Sequence, residues 1–183
     1  GQANVSFPGG CAIGSRPVDL HLRGMQALGA KIEISDGYIR ATCSDRLVGT
    51  RIALSSVSVG ATENLMMAAV LASGTTILEN AACEPEILDL ANCLNIWGAK
   101  ISGAGTNRII IEGVDKMFGG GFEVMSDRIE TGTYLAAAVA TRGKIKIFRT
   151  DPKILESVIN KLAETGAAIK FGKDWIEIDA ENL

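Results

Sequence analysis

Apolar residues recur at helical spacing in three segments of the chain, and each segment ends at a glycine. The apolar sets are Val18, Leu22 and Met25; Ile87, Ala91 and Leu94; and Leu155, Ile159 and Leu162. A proline stands near the start of each segment, at 17, 85 and 152, where a helix tolerates a missing N–H. The pattern therefore predicts three helices, each closed by a left-handed glycine, at Gly29, Gly98 and Gly166.

Two short strand patterns follow each of these glycines in the order of a β-hairpin. The predicted pairs are 31–34 with 37–42, 100–102 with 108–112, and 168–171 with 175–179. A second kind of helix recurs at 60–72 and 129–141, and strands at 75–78 and 144–148 follow it. Equivalent positions are roughly 69 residues apart, which indicates an internal repeat. The alternation of helices and strands predicts an α/β architecture.

Charge and hydropathy exclude several classes of function. The chain has 183 residues, a net charge of −3 and a pI near 5.3, so no broad basic surface favours nucleic acid. The longest mostly apolar run, 65–72, is too short to span a bilayer, and the N-terminus lacks the pattern of a secretory signal. We expect a cytoplasmic protein that binds neither nucleic acid nor membrane.

The cysteines and the histidine do not indicate a metal centre. Cysteines at 11, 43, 83 and 93 lack the close spacing of zinc or dithiol sites, so reduced thiols are expected. Cys43 and Cys93 are interpreted as small core residues, and Cys83 is left undecided. A structural role is favoured for His21, because no second histidine or carboxylate cluster accompanies it. No metal or cofactor is predicted.

One glycine-rich segment, PGGCAIGSRPVDL at 8–20, is the strongest candidate for chemistry. It places the thiol of Cys11 near Arg16, whose guanidinium suits phosphate or carboxylate. From the glycines and cysteine alone, an inert thiol and a reactive one are equally supported, and Arg16 could form a surface ion pair. The equivalent loop in the next repeat, 79–84, is shorter and has no glycine, so the fold does not require the longer loop.

This segment resembles the active-site loop of the UDP-N-acetylglucosamine 1-carboxyvinyltransferases, which share their fold with EPSP synthase. The resemblance implies repeated helix–strand–helix–strand–strand units in an inside-out α/β barrel of the enolpyruvyl transferase type, incomplete here, with helices inside and sheets outside. It implies that 1–125 holds the last part of repeat 2 and all of repeat 3 of the Cys-loop domain. Residues 126–183 would then be the first repeat of a second domain, with a hinge at 125–127.

The resemblance also implies an activity. These enzymes transfer enolpyruvyl from phosphoenolpyruvate to the 3-hydroxyl of UDP-N-acetylglucosamine and release phosphate, in the first committed step of peptidoglycan synthesis. The reaction supports the cell wall, cell shape and division, and it is the target of fosfomycin. The implied partners are therefore these two small-molecule substrates.

Residue roles are implied by the same match. Cys11 corresponds to the cysteine that protonates C3 of phosphoenolpyruvate, takes part in product release and forms the fosfomycin adduct. Arg16 corresponds to an arginine that contacts both substrates. The uracil and ribose would be held by Pro17, Val18, Asp19 and Leu20. The diphosphate would be bound by Ser58, Val59 and Gly60.

Purely structural roles are the alternative for these residues. Residues 17–20 and 58–60 could be ordinary helix starts, with Asp19 as a first-turn acid. The chain has Ser56 at a position that is often lysine in the family, which puts one cationic contact in doubt. The segment 127–133 opens another helix, and its charges could serve domain closure or only cap that helix.

Three alternative functions remain open. EPSP synthase acts on shikimate 3-phosphate but lacks the Cys loop, and a non-catalytic repeat scaffold would show no special reactivity at Cys11. A third possibility is a fragment that folds but is inactive alone, because the family needs groups from further segments. Such a fragment is expected to expose apolar faces, which would be covered by a partner chain, including a second copy of itself, or by residues 126–183. The faces concerned are those of Leu65, Met66, Ala69 and Val70.

Overall fold

The structure is a computed structural model that describes residues 1–7 and 18–183. Its contacts divide the chain into two compact units, unit 1 (Gly1–Glu123) and unit 2 (Val124–Leu183). Both units alternate helices with strands, as the repeat predicts. The assignment of these units to particular repeats of a larger protein stays a prediction.

The helices of unit 1 agree with the predicted segments. They are α1 (Asp19–Ala27), α2 (Val59–Val70) and α3 (Pro85–Ile96). The strands are β1 (Gln2–Ser6), β2 (Lys31–Ser35), β3 (Tyr38–Thr42), β4 (Arg51–Ala53), β5 (Thr75–Glu79), β6 (Lys100–Ser102) and β7 (Arg108–Glu112). The hairpins β2–β3 and β6–β7 are confirmed. Strands β1 and β4 were not predicted.

Unit 2 is one further copy of the pattern. It contains α4 (Arg128–Ala140), β8 (Lys144–Phe148), α5 (Glu156–Ala163), β9 (Ala168–Phe171) and β10 (Trp175–Asp179). Pro152 opens a short 3₁₀ helix, Pro152–Leu155, that leads into α5, so the predicted helix begins as a tighter turn. The apolar faces of α4 and α5 pack on the sheet and bury Leu135, Ile159 and Ile176 in a separate core.

Each sheet places the last strand of its repeat between the two earlier ones. The orders are β1-β3-β2, β5-β7-β6 and β8-β10-β9, and β4 adds a parallel edge beside β5. The final residue of the central strand faces the first residue of both neighbours. These sets are Thr42 with Gln2 and Lys31; Glu112 with Thr75 and Lys100; and Asp179 with Lys144 and Ala168. The repeat therefore extends to the register of strand pairing.

The predicted helix-closing glycines are confirmed. Gly29, Gly98 and Gly166 have φ values of 97°, 98° and 94°, a region that residues with a Cβ rarely adopt. The chain reverses there and enters the first strand of each hairpin, because an L-residue could not make this turn without strain. These positions fix where each helix stops.

The core of unit 1 surrounds α2, which packs against α1 and α3 with the sheets outside. The expectation that Leu65, Met66, Ala69 and Val70 form an exposed face is wrong, because all four are fully buried. They contact a core made of unit 1 residues such as Leu28, Leu78 and Ile111. The exposed apolar side chains of α2 are instead Met67 and Leu71.

The cysteines differ in part from expectation. Cys43, which follows β3, and Cys93, which lies in α3, are both half-buried instead of fully enclosed in the core. Cys83 is exposed at the turn before α3. All three are free thiols. Cys11 lies outside the described residues.

Candidate functional site

The predicted site residues divide into two groups. Cys11, Arg16 and Pro17 lie outside the residues that the structure describes. The remaining candidates stand at the starts of two helices, 18–20 at α1 and 58–60 at α2. The geometry of the site is therefore built from these two helix starts.

Helices α1 and α2 lie side by side and run in the same sense. The His21 ring of α1 lies beside Gly60 of α2, and Gly24, further along α1, meets Leu65, further along α2. A Cβ on Gly24 would lie 2.4 Å from both Leu65 methyl groups, so glycine is what permits this close approach. Because the contacts advance together along both helices, the two groups of candidates lie at the same end of the pair.

The start of α1 has no side-chain cap. Val18 is the N-cap residue, and its carbonyl accepts from the Leu22 N–H at 3.0 Å. Asp19 is the first helical residue and is exposed, which matches the expectation of a first-turn acid. Val18 and Leu20 are half-buried. The exposed Asp19 carboxylate can accept hydrogen bonds from a ligand, and the half-buried Val18 and Leu20 beside it offer apolar contact to a flat ring.

The start of α2 leaves two backbone donors uncommitted by the helix. The Ser58 hydroxyl oxygen accepts from the Ala61 N–H at 3.2 Å, so the cap satisfies the third helical residue. The N–H groups of Val59 and Gly60, at the first and second positions, have no acceptor within the helix. Gly60 is exposed and brings no side chain to cover them. This end of α2 can therefore accept an anion.

At the start of α4, the equivalent helix in unit 2, the N–H group of the second helical residue has a partner. There the Asp127 carboxylate accepts from both the Ile129 and Glu130 N–H groups, at 2.8 and 3.1 Å. The second-position donor, which α2 leaves at Gly60, is thus filled in α4 by the protein's own anion. Asp127 caps its helix, as one of the two interpretations of 127–133 expected. The repeat supplies an internal comparison between a filled helix start and an open one.

His21 links α1 to the first turns of α2. Its Nδ1 lies 3.0 Å from the Asn64 side-chain nitrogen, and the ring is half-buried. The edge that carries Cε1 and Nε2 lies 3.6 and 3.9 Å from the point where a Gly60 Cβ would stand. The expected structural role is thus confirmed by a hydrogen bond between helices. Sequence reasoning could not find the pairing with Asn64, which is 43 residues away in the chain.

Thr62 fixes the open helix start to the turn that precedes α3. Its hydroxyl donates to the Ser58 carbonyl at 2.8 Å and accepts from the Ala82 N–H at 3.0 Å, and the residue is fully buried. The next residue, Glu63, has a raised pKa, first because of burial and then because of the negative charge of Glu86. Thr62 therefore anchors the first turn of α2 to the turn before α3, and the acidic Glu63 follows it in the chain.

Metal and membrane functions gain no support from the described part of the chain. Within residues 1–7 and 18–183, no cluster of three or more His, Cys, Asp or Glu side chains could hold a metal ion. No helix in those ranges is long and apolar enough to cross a membrane.

Comparison with known proteins places the chain in a family. The sequence model of the EPSP synthase (3-phosphoshikimate 1-carboxyvinyltransferase) family matches residues 1–183, and the chain belongs to this family of enolpyruvyl transferases. Relatives named UDP-N-acetylglucosamine 1-carboxyvinyltransferase are identical to this chain at more than half of the aligned positions. The protein from Cellvibrio japonicus is 62% identical over 98% of this chain, and that from Coxiella burnetii is 56% identical over 99%.

These relatives are longer than the chain. The matched region is 43% of the Cellvibrio japonicus protein and 42% of the Coxiella burnetii protein. The chain therefore spans less than half the length of the curated relatives that it matches.

Solved structures confirm the fold. The enolpyruvyl transferase NikO from Streptomyces tendae superposes with a TM-score of 0.79 at 21% identity, covering 98% of this chain and 44% of that one. EPSP synthase from Acinetobacter baumannii gives a TM-score of 0.71 at 20% identity, covering 98% and 42%. The predicted fold class, an incomplete α/β domain of the enolpyruvyl transferase type, is confirmed.

Proposed function

We propose that this chain forms part of a UDP-N-acetylglucosamine 1-carboxyvinyltransferase. The reaction would transfer enolpyruvyl from phosphoenolpyruvate to the 3-hydroxyl of UDP-N-acetylglucosamine in the cytoplasm, as a step of peptidoglycan synthesis. Support comes from identities of 56–62% to relatives of that name, against 20% to an EPSP synthase structure. Residues 1–125 would belong to the Cys-loop domain and 126–183 to a second domain.

The reaction proceeds by addition and then elimination. A proton is added to C3 of phosphoenolpyruvate, and the sugar 3-hydroxyl loses its proton as its oxygen bonds to C2. Elimination then removes a proton from C3 and breaks the bond between C2 and the phosphate oxygen, which leaves the enolpyruvyl ether and inorganic phosphate. Cys11 is the proposed proton donor to C3 and the proposed site of fosfomycin alkylation. Arg16 would bind the anionic oxygens of both substrates.

The nucleotide would be held by the two adjacent helix starts. In this proposal, Pro17, Val18, Asp19 and Leu20 hold the uracil and ribose, and the diphosphate lies at Ser58, Val59 and Gly60. The parallel packing of α1 and α2 supports this, because it brings the described members of both groups to one end of the helix pair. A ligand bound there would contact uracil-binding and diphosphate-binding residues together.

One observation carries the proposal for the diphosphate. The second-position N–H is occupied by the Asp127 carboxylate in α4, whereas among residues 1–7 and 18–183 no carboxylate is bonded to the Gly60 N–H in α2. A diphosphate oxygen would take the place that Asp127 takes in the other copy. The helix dipole and the N–H groups would then stabilise its negative charge.

The activity can be tested in a chimera, in which this chain replaces the matching segment of the Cellvibrio japonicus relative. We expect phosphate release from phosphoenolpyruvate that requires UDP-N-acetylglucosamine and is lost in Cys11→Ser. Shikimate 3-phosphate serves as the control acceptor. Release that depends on shikimate 3-phosphate instead, or that persists in the Cys11→Ser variant, would overturn the proposal.

The diphosphate site has a sharper test. Ser58→Asp should place a carboxylate on the Gly60 and Ala61 N–H groups, as Asp127 does in α4, and weaken UDP-N-acetylglucosamine binding in the chimera by about tenfold or more. Ser58→Asn is the matched control, because it offers the same cap without the charge, and it should weaken binding less. Equal affinity of Ser58→Asp and wild type would exclude the helix start as the diphosphate site.

A further inference from the structure

His21 stands at the proposed diphosphate site without a role assigned by the sequence match. Its ring is half-buried between α1 and α2, and it lies over Gly60, whose N–H is proposed to meet the diphosphate. The side of the ring that faces Gly60 carries Nε2. The state of that nitrogen therefore determines what the ring offers to a ligand there.

The contact with the Asn64 side chain indicates which ring nitrogen of His21 carries the proton. With the Asn64 side chain oriented as in the structure, its amide nitrogen lies 3.0 Å from Nδ1, and because an amide nitrogen donates, this orientation pairs with a ring that accepts at Nδ1. A neutral imidazole that accepts at Nδ1 carries its proton at Nε2. In that tautomer the N–H of the ring is on the edge that faces Gly60.

We propose that His21 is a further substrate-binding residue, whose Nε2–H donates to the diphosphate beside the Val59 and Gly60 N–H groups, and that Asn64 is the positioning residue that holds this tautomer. The inference rests on the proposed function, because it takes the diphosphate to lie at the start of α2. It adds a side-chain donor from α1 to the backbone donors of α2. Substrate binding would then depend on the contact between these two helices.

Substitutions can separate the two edges of the ring. His21→Gln places an amide donor near the Nε2 position, whereas His21→Asn reaches only the Nδ1 position. We expect His21→Asn to weaken UDP-N-acetylglucosamine binding in the chimera by about tenfold, as for loss of one hydrogen bond to a charged group. His21→Gln should stay within about threefold of wild type. Both variants should bind equally weakly if the ring acts only by packing.

The positioning role of Asn64 has a spectroscopic readout. His21 is the single histidine of the 183-residue chain, so nitrogen-15 correlation spectra report its tautomer without overlap. We expect the proton on Nε2 in the wild-type chain. In Asn64→Asp the carboxylate would accept from the ring, so Nδ1 should become protonated.

The outcomes distinguish this inference from the function on which it rests. A wild-type ring with its proton on Nδ1 overturns the inference whatever the ligand does. Binding by the wild-type chimera that His21→Asn leaves unchanged also overturns the inference, while the diphosphate site stands if Ser58→Asp weakens that binding by about tenfold or more. Failure of the wild-type chimera to bind UDP-N-acetylglucosamine overturns both.

Discussion

The hydroxyl of Thr150 donates to the hydroxyl oxygen of Thr131 across 3.1 Å, and both residues are buried. Thr150 is the donor of this hydrogen bond because the Thr131 hydroxyl donates its own proton to the Asp127 carbonyl, 3.0 Å away. Thr62 does the same in unit 1, where it donates to Ser58 and accepts from the Ala82 N–H. In both units a threonine thus ties the first turn of the helix, α2 or α4, to the turn after the next strand.

This pairing predicts a coupled stability effect in unit 2. Thr131→Val should lower the free energy of unfolding by about 1–3 kcal/mol, because it leaves the Thr150 hydroxyl buried without its acceptor. The double variant Thr131→Val/Thr150→Val should lose less than the sum of the single losses, since both polar partners are then gone. Urea unfolding of all three variants measures the coupling, and strictly additive losses would contradict the pairing.

Two helix glycines should respond oppositely to alanine. Gly24→Ala should destabilise by about 1–3 kcal/mol, because its Cβ would stand 2.4 Å from the methyl groups of the fully buried Leu65. Gly132→Ala in α4 is the matched control, since its Cβ would lie 3.6 Å from Val158, an ordinary contact. It should stabilise by about 0.5–1 kcal/mol through helix propensity. Thermal unfolding of both variants checks the two signs.

The carbonyl contacts of Arg46 should contribute more to the free energy of unfolding than its carboxylate contact does. Its guanidinium donates to the Leu71 carbonyl after α2 at 3.0 Å and to the Val114 carbonyl at 2.7 Å, and it also pairs with Asp115. Arg46→Ala should cost about 1–3 kcal/mol, because both carbonyl contacts are lost and the one to Val114 is partly buried. Asp115→Asn should cost less than about 1 kcal/mol, since that carboxylate is 95% exposed. Equal losses in denaturant unfolding would show that the ion pair dominates.

Glu63 predicts a dependence of stability on pH. Burial and the charge of Glu86 raise its pKa, so the folded chain binds this proton more tightly than the unfolded chain. The resulting stabilisation is complete below the ordinary glutamate pKa and is lost as the pH rises through the raised value. Glu63→Gln resembles the protonated form, so it should stabilise the chain at neutral pH and flatten this part of the profile. Unfolding midpoints of both proteins across that pH range test the sign.

Much of the fold follows from local sequence signals. The helices and hairpins could be placed because apolar spacing defines their faces and positive-φ glycines such as Gly29 and Gly98 define their ends. Strand β4 has three residues, too few to show alternation, and all five residues of β1 are exposed. Both strands form because partners in the sheet complete them, and this cannot be read locally.

The site, like the fold, was predictable only where local sequence signals define it. The helix start at Ser58 carries a local capping signal, and structure confirms the cap. The nearness of 18–20 to 58–60 depends on the approach of Gly24 to Leu65, and the pairing of His21 with Asn64 depends on that approach too. Tertiary packing determines these relationships. The roles of Cys11 and Arg16 stay predictions.

The strand order has a consequence for how the chain assembles during synthesis. In each sheet the strand that lies between the other two of its repeat is the last of the three to be translated, so those two lack their shared partner when they leave the ribosome. β6 must wait for β7, and β8 and β9 must wait for β10, whereas β5 can pair first with the earlier strand β4. Each repeat should therefore close in one late step when its final strand emerges, and a ribosome that stalls before that strand would expose two unpaired edges to aggregation.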